Sequence, residues 1–175
     1  MRSNFEQCLE WLLKHEGGFV DHPDDPGGMT NKGITAATYG RWLNEVMDVD
    51  TEITEELMRN IPDNHVEAIY REEYWNRIAG DKLPPGLDWS IFDWAVNSGT
   101  GRAARALQRE IGVAADGGIG PVTLAAVAKK DTLELIEGIY QKRQTFYEKL
   151  STFETFGAGW TRRNEETKEQ AISLI

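Results

Sequence analysis

Apolar positions recur along this chain at the spacing of a helical turn almost from end to end. Phe5, Leu9 and Leu12 fall at i, i+4 and i+7, and Glu16 extends the same row at i+11. That spacing sets all four on one helical face. Ser3 with Glu6 makes a capping box for a first helix over residues 4–15, and Gly17 ends it. A loop follows, with short extended pieces expected at residues 19–20 and 33–35. Thr35 can cap a helix over AATYGRWLNEVM, Thr54 a short one over EELMRNI, and Asp63 a longer one over DNHVEAIYREEYWNRI. In the last of these Val66, Ile69, Tyr70 and Tyr74 form the inward stripe.

GDKLPPG breaks the pattern. Two helices follow, LDWSIFDWAVNSG and TGRAARALQREIG, divided at Gly99 and closed at Gly112. Pro121 suits the first turn of PVTLAAVAKK, and Asp131 caps a long helix to about residue 150. A last helix is expected over about residues 160–172. No alternating run of strand length stands out, so the expected class is all-α (mainly α). The seam is LPPG, residues 83–86. It gives a first domain of 1–90 and a second of 91–175, expected to pack as one globule.

Composition narrows the class. The 175 residues are 40% apolar and 27% charged, as in a folded globular protein. Cys8 is the single cysteine, so no intrachain disulfide can form, and its place on the apolar face makes it a core residue. The N-terminus carries Glu6, Glu10 and Lys14 and no long apolar run, so neither a signal peptide nor a stable membrane insertion is expected. The net charge of −10 is uneven. Residues 1–92 hold 18 acids against 8 bases, and residues 93–175 hold 11 of each. That balance argues against nucleic acid as a partner, and confines attraction to any polyanion to local basic patches. Neither Asp21, Asp24 and Asp25 nor Asp48, Asp50 and Glu52 meet the ligand spacing of a calcium loop. His15, His22 and His65 form no zinc motif. No metal and no cofactor is expected, and the chain reads as a monomer.

The stretch HEGGFVDHPDDPGGMTNKGIT, residues 15–35, carries the chemistry. Glu16 shares a face with core residues and stands at a helix C-terminus, where the dipole disfavours an anion. Both conditions favour a carboxyl that keeps its proton, as a general acid must. The plain alternative is a terminal glutamate turned to water. Pro23 and Pro26 restrict the loop that follows, and Gly27 and Gly28 let a ligand approach the backbone. Asp24 or Asp25 can thus be held near Glu16, giving the two carboxyls with divided duties that glycoside hydrolysis uses.

That string, with its Glu-Gly-Gly start, Asp-Pro-Gly-Gly centre and Thr-x-x-Gly-Ile-Thr end, resembles the signature of glycoside hydrolase family 108, a lysozyme-like muramidase family common in phages. EEYWNRIAGDKLPPG, with Tyr74, Trp75, Asp81 and Leu83-Pro84, resembles the end of that family's domain. The likeness spans roughly residues 5–90. It implies a lysozyme-like helical fold and N-acetylmuramidase activity, with the family's glutamate at Glu16. Phage-type lysozymes use a Glu, an Asp and a Thr in that order. Here eight residues separate Glu16 from Asp25, the spacing that fits, whereas the Asp-to-Thr spacing fits Asp24 with Thr30 better. Asp25 is preferred for its place in Asp-Pro-Gly-Gly, and Thr30 is implied to orient the attacking water. Asp24 remains a substrate-binding candidate.

FDWAVNSGTGRAARALQREIGVAADGGIGPVTLAAV resembles a predicted peptidoglycan-binding domain. The likeness is carried by Asn97-Ser98-Gly99, Leu107-Gln108 and Asp116-Gly117-x-x-Gly120-Pro121-x-Thr123-Leu124. The tail with Trp160 and Arg163 fits that domain's end, at about residue 170. Arg102, Arg105 and Arg109 make one basic stripe, able to meet carboxylates of wall peptides. Among six tryptophans, Trp42 and Trp75 are candidates to line a sugar groove, and Asn97 to bond an N-acetyl group. The expectation is a peptidoglycan hydrolase acting on glycan strands. It would be made in a host cytoplasm, released through a holin-type lesion, and act on the wall as a phage endolysin. A non-catalytic wall-binding module and a lytic transglycosylase are the alternatives.

Overall fold

The computed structural model describes residues 4–21 and 28–175. Among them the chain is mainly α, with the lysozyme-like character expected and one two-stranded hairpin. The elements run α1 (Phe5–His15), β1 (Thr30–Asn31), β2 (Ile34–Thr35), α2 (Ala36–Met47), α3 (Glu55–Arg59) and α4 (Asp63–Tyr70). A π turn (Arg71–Trp75) and a 3₁₀ turn (Gly80–Lys82) follow. Then come α5 (Leu87–Ser98), α6 (Thr100–Ile111), α7 (Pro121–Val127), α8 (Thr132–Glu148) and α9 (Phe153–Ile172). These residues gather into two compact units, Glu6–Glu72 and Met1–Phe5 with Glu73–Ile175. The division falls inside the π turn, and residues 83–86 lie within the second unit.

In the unit Glu6–Glu72, the apolar face of α1 buries Cys8, Leu9 and Leu12. Ser3, expected to cap this helix, lies outside the described residues. The other caps follow from side-chain chemistry. Thr35 Oγ1 accepts from the Thr38 N–H at 3.2 Å, and Thr54 Oγ1 from the Leu57 N–H at 3.2 Å. Asp63 differs from expectation. Pro62 takes the cap position, and the Asp63 carboxylate in the first turn pairs with Lys32 at 2.6 Å.

The helical pattern predicts one helix through residue 78, but after Tyr70 it gives way to the π turn. The extra residue of that turn moves the inward position from Tyr74, half-buried, to Trp75, wholly buried.

In the second unit Trp75 packs edge-on to Phe5 and Phe92, with both centroid distances 5.3 Å. Its indole N–H donates to Asp81 at 2.8 Å, and Gly80 lies so close under the ring that any side chain there would overlap it. α5 is buried along nearly its whole length and carries a charge at its centre. Asp93 forms ion pairs with Arg143 of α8 and Arg163 of α9, each at 2.7 Å, and accepts a hydrogen bond from Thr167 Oγ1 at 3.2 Å. Burial alone would raise the Asp93 carboxyl. The two guanidinium groups outweigh it and hold it down at about 2. Asp88, also in α5, has only hydrogen bonds, from the Gly86 and Trp89 N–H groups and the Asn4 amide. Burial wins there and pushes its carboxyl up to about 6.

The turn before α7 is organised by Gln108, whose amide donates to Asp116 Oδ1 at 2.6 Å and to the Gly118 carbonyl at 2.9 Å. The Gly118 N–H and this amide hold the Asp116 carboxyl below the usual range. α9 begins at Phe153, earlier than the sequence predicts. Gly157 argues against helix, yet its bare Cα is what admits the Phe153 ring beside it.

The two buried aspartates predict opposite responses to pH. Folded Asp88 holds its proton to about pH 6, whereas an unfolded aspartate releases it near ~3.9. The folded state therefore binds more protons between those values, and stability falls as pH rises through them. Asp88→Asn should gain up to about 3 kcal/mol over wild type at neutral pH and little below pH ~4. Asp93 contributes stability above its unfolded value that is lost as pH falls from ~4 toward 2. Asp93→Asn should cost about 3–5 kcal/mol at neutral pH, because it strands buried guanidinium groups. Urea melts across pH measure both.

Candidate active site

Glu16 sits one residue beyond the last turn of α1, and its N–H donates to the Leu12 carbonyl at 3.2 Å. Its side chain is half-buried, as the face it shares with Leu9 and Leu12 requires. The carboxyl is set by a β-turn. Between β1 and β2 the loop residues Lys32 and Gly33 have φ of 49° and 75°. Two successive positive φ values are what a two-residue hairpin of right-handed twist demands. A Cβ at Gly33 would overlap the Tyr70 hydroxyl and fall 2.8 Å from Glu16 Oε2. The Glu16 carboxyl and the Tyr70 hydroxyl thus close over a backbone that must be bare.

Three ties fix this turn. The Tyr70 hydroxyl donates to the Lys32 carbonyl at 2.8 Å, and Lys32 Nζ binds Asp63 at 2.6 Å. The buried Asn31 amide donates to the Met58 carbonyl at 2.7 Å. The lysine ammonium, by hydrogen bond and charge, holds the exposed Asp63 carboxyl below its usual range. Thr30, half-buried, pairs with Thr35 across the hairpin and exchanges two 2.8 Å backbone bonds with Val20. The segment leaving Glu16 is thereby stitched to the strand that bears Thr30. The extended pieces expected at residues 19–20 and 33–35 are these partners.

Asp24 and Asp25 lie outside the described residues, within 22–27. Trp42 is buried rather than set in a groove. Its ring lies 4.9 Å from His65 and stacks on Tyr39, and its N–H donates to Glu72 at 3.0 Å. Trp75 is 0% exposed and offers no ring face to a sugar. Both indoles are core residues whose N–H groups reach carboxylates at the edge of the core, those of Glu72 and Asp81. Asn97 is exposed at the end of α5, where its Oδ1 accepts from the Tyr147 and Ser98 hydroxyls, each at 2.9 Å. Among the described residues no cluster of His, Cys, Asp and Glu is built to hold a metal ion.

Sequence reasoning missed Tyr70 and Gly33. It took Tyr70 for a stripe residue, which it also is, at 1% exposure. The signal was the Asn-Lys-Gly sequence of a tight turn directly before the capping Thr35.

The glycosyl hydrolase 108 family model matches residues 9–99, and a family described as Predicted Peptidoglycan domain matches residues 102–165. Among solved structures, SagA of Brucella abortus is 39% identical, with a TM-score of 0.83, over 98% of this chain and 95% of its own. No curated protein matches significantly.

Gly33→Ala is expected to cost about 1–3 kcal/mol through its backbone conformation, and to abolish hydrolysis by displacing the Glu16 carboxyl. Tyr70→Phe should cost about 1 kcal/mol and leave more activity than Gly33→Ala. Thermal melts and release of dye from labelled peptidoglycan compare the two.

Proposed function

This chain belongs to the glycosyl hydrolase 108 family and is a peptidoglycan hydrolase; on that premise we propose that it is an N-acetylmuramidase with Glu16 as its general acid. It cuts the β-1,4 bond between N-acetylmuramic acid and N-acetylglucosamine. Supporting this is a half-buried carboxyl held at a helix end against a bare glycine turn, on the matched family segment. Glu16 protonates the leaving sugar oxygen. Asp25 is the base or charge stabiliser, with Asp24 beside it contacting substrate. Thr30, on the strand bonded to the segment after Glu16, orients the attacking water. The residues that match the predicted peptidoglycan domain hold the wall while the first part of the chain cuts it.

The biological setting we assign is lysis of a phage host, with release through a holin-type lesion. The motif string shared with a family common in phages supports it. No helix among the described residues is long and apolar enough to cross a membrane.

Glu16→Gln and Asp25→Asn should each lower turbidity loss of permeabilised Gram-negative cells by about 10²-fold or more, and Thr30→Ala by less. Fragments released in ¹⁸O-water should carry the label at a reducing muramic end. Unlabelled anhydro ends would mean transglycosylation, and unaltered lysis by Glu16→Gln would remove the acid assignment.

A further inference from the structure

One groove of the second unit gathers four cations, and among the described residues only one of them is ion-paired. The groove lies between α6 and α8, has a volume of about 480 Å³, and is lined by Arg102 and Arg109 of α6, Lys142 of α8 and Lys149 just beyond it. Lys142 pairs with Glu110 at 3.0 Å. Arg102, Arg109 and Lys149 have no ion-pair partner among the described residues, and all three are exposed. Aromatic rings line it as well. The Arg102 guanidinium lies 4.3 Å from the centroid of Phe146, whose ring is 6.3 Å from that of Trp94. Trp94 is 2% exposed, and its indole N–H has no acceptor among the described residues. A buried donor left unpaired costs free energy that an incoming acceptor would recover.

The stripe of arginines read from the sequence divides here. Arg105 turns away to the loop before α7, where it lies against Gly117 and reaches the Asp116 carbonyl at 3.5 Å. Only Arg102 and Arg109 stay with the groove. This local excess of positive charge stands on a chain of net charge −10.

We propose that this groove binds the peptide stem of peptidoglycan through its free carboxylates. The inference rests on the wall being the substrate. It adds which part of the wall the second unit recognises. The glycan itself is neutral along its N-acetyl sugars, because the muramic lactyl carboxyl is consumed in the amide to the stem. The stem, with its γ-linked D-glutamyl unit and its terminal residue, carries the negative charge. Guanidinium groups bind such carboxylates in paired hydrogen bonds. The apolar walls of Phe146, Ala106 and Trp94 suit the short alanyl side chains between them.

The test uses the full chain as Glu16→Gln, so that nothing is cut, and the free tetrapeptide L-Ala-γ-D-Glu-meso-diaminopimelate-D-Ala as probe. Titration should shift the indole N–H resonance of Trp94. Arg109→Glu should weaken binding about tenfold, the loss of one charge-assisted hydrogen bond, and Arg109→Lys should restore part of it. Arg109 is exposed, and an unchanged melting temperature verifies the fold of each variant. Chitooligosaccharides, which carry the N-acetyl sugars and no carboxyl, should leave the resonance unmoved. An unmoved Trp94 signal with the tetrapeptide, an equal shift of that signal by the neutral chitooligosaccharide, or Arg109-dependent binding to phosphatidylglycerol vesicles in place of the peptide would overturn the inference. If the wild-type chain cleaves sacculi yet ignores the tetrapeptide, the groove assignment falls and the muramidase stands. Tetrapeptide binding without cleavage gives the reverse.

Discussion

A carboxyl group stands where a side chain at residue 33 would be. The hairpin turn Lys32–Gly33 must run at positive φ, and it must be bare on the side that Glu16 and Tyr70 cover. Most of the unit Glu6–Glu72 serves that arrangement. Leu9 and Leu12 bury the face of α1 that aims Glu16 inward. Tyr70, Asp63 and Asn31 tie the turn from the Lys32 carbonyl, the Lys32 ammonium and the Met58 carbonyl. A general acid needs this kind of enclosure, because its geometry has to be set before the substrate arrives.

The second unit is organised around a different electrostatic problem. A fully buried aspartate in α5 is neutralised by one arginine from α8 and one from α9, so three helices share one charge network. Such a network adds less to net stability than its short distances suggest, since desolvation offsets much of the attraction. It does dictate which helices meet Asp93. With that centre fixed, the cations of α6 and α8 that play no part in it are left facing a groove. The acidic first stretch of the chain and the neutral second stretch thus present different chemistry to a wall polymer that has a neutral backbone and charged stems.

Much of this was legible in the sequence because the signals were local. Thr35, Thr54 and Asp131 cap the helices they precede, Pro121 opens α7, and Gly99 and Gly112 bound α6. The Thr-x-x-Gly-Ile-Thr string reads, position by position, as bridge residue, bare turn, buried Ile34 and helix cap. Periodicity could not show the π turn. One inserted residue there changes the helical phase, so Tyr74 rather than Trp75 was expected inward. The indoles of Trp42 and Trp75 looked available to sugar because partners 30 and 6 residues away, Glu72 and Asp81, satisfy their N–H groups only in the folded chain. Asp93 went unnoticed for the same reason. Its partners Arg143 and Arg163 are remote in sequence, and a lone acid in an apolar helix carries no mark of them.

The central claim is that Glu16 delivers a proton to the departing sugar oxygen. Comparing kcat/KM for wild type and Glu16→Gln on two substrates tests it most directly. One is a peptidoglycan glycan chain with the natural bond between N-acetylmuramic acid and N-acetylglucosamine, and the other an aryl glycoside whose phenolate departs without protonation. The account predicts a loss of about 10²–10⁴-fold on the first and a far smaller loss on the second. Equal losses on both would mean that Glu16 supports the site without supplying its proton.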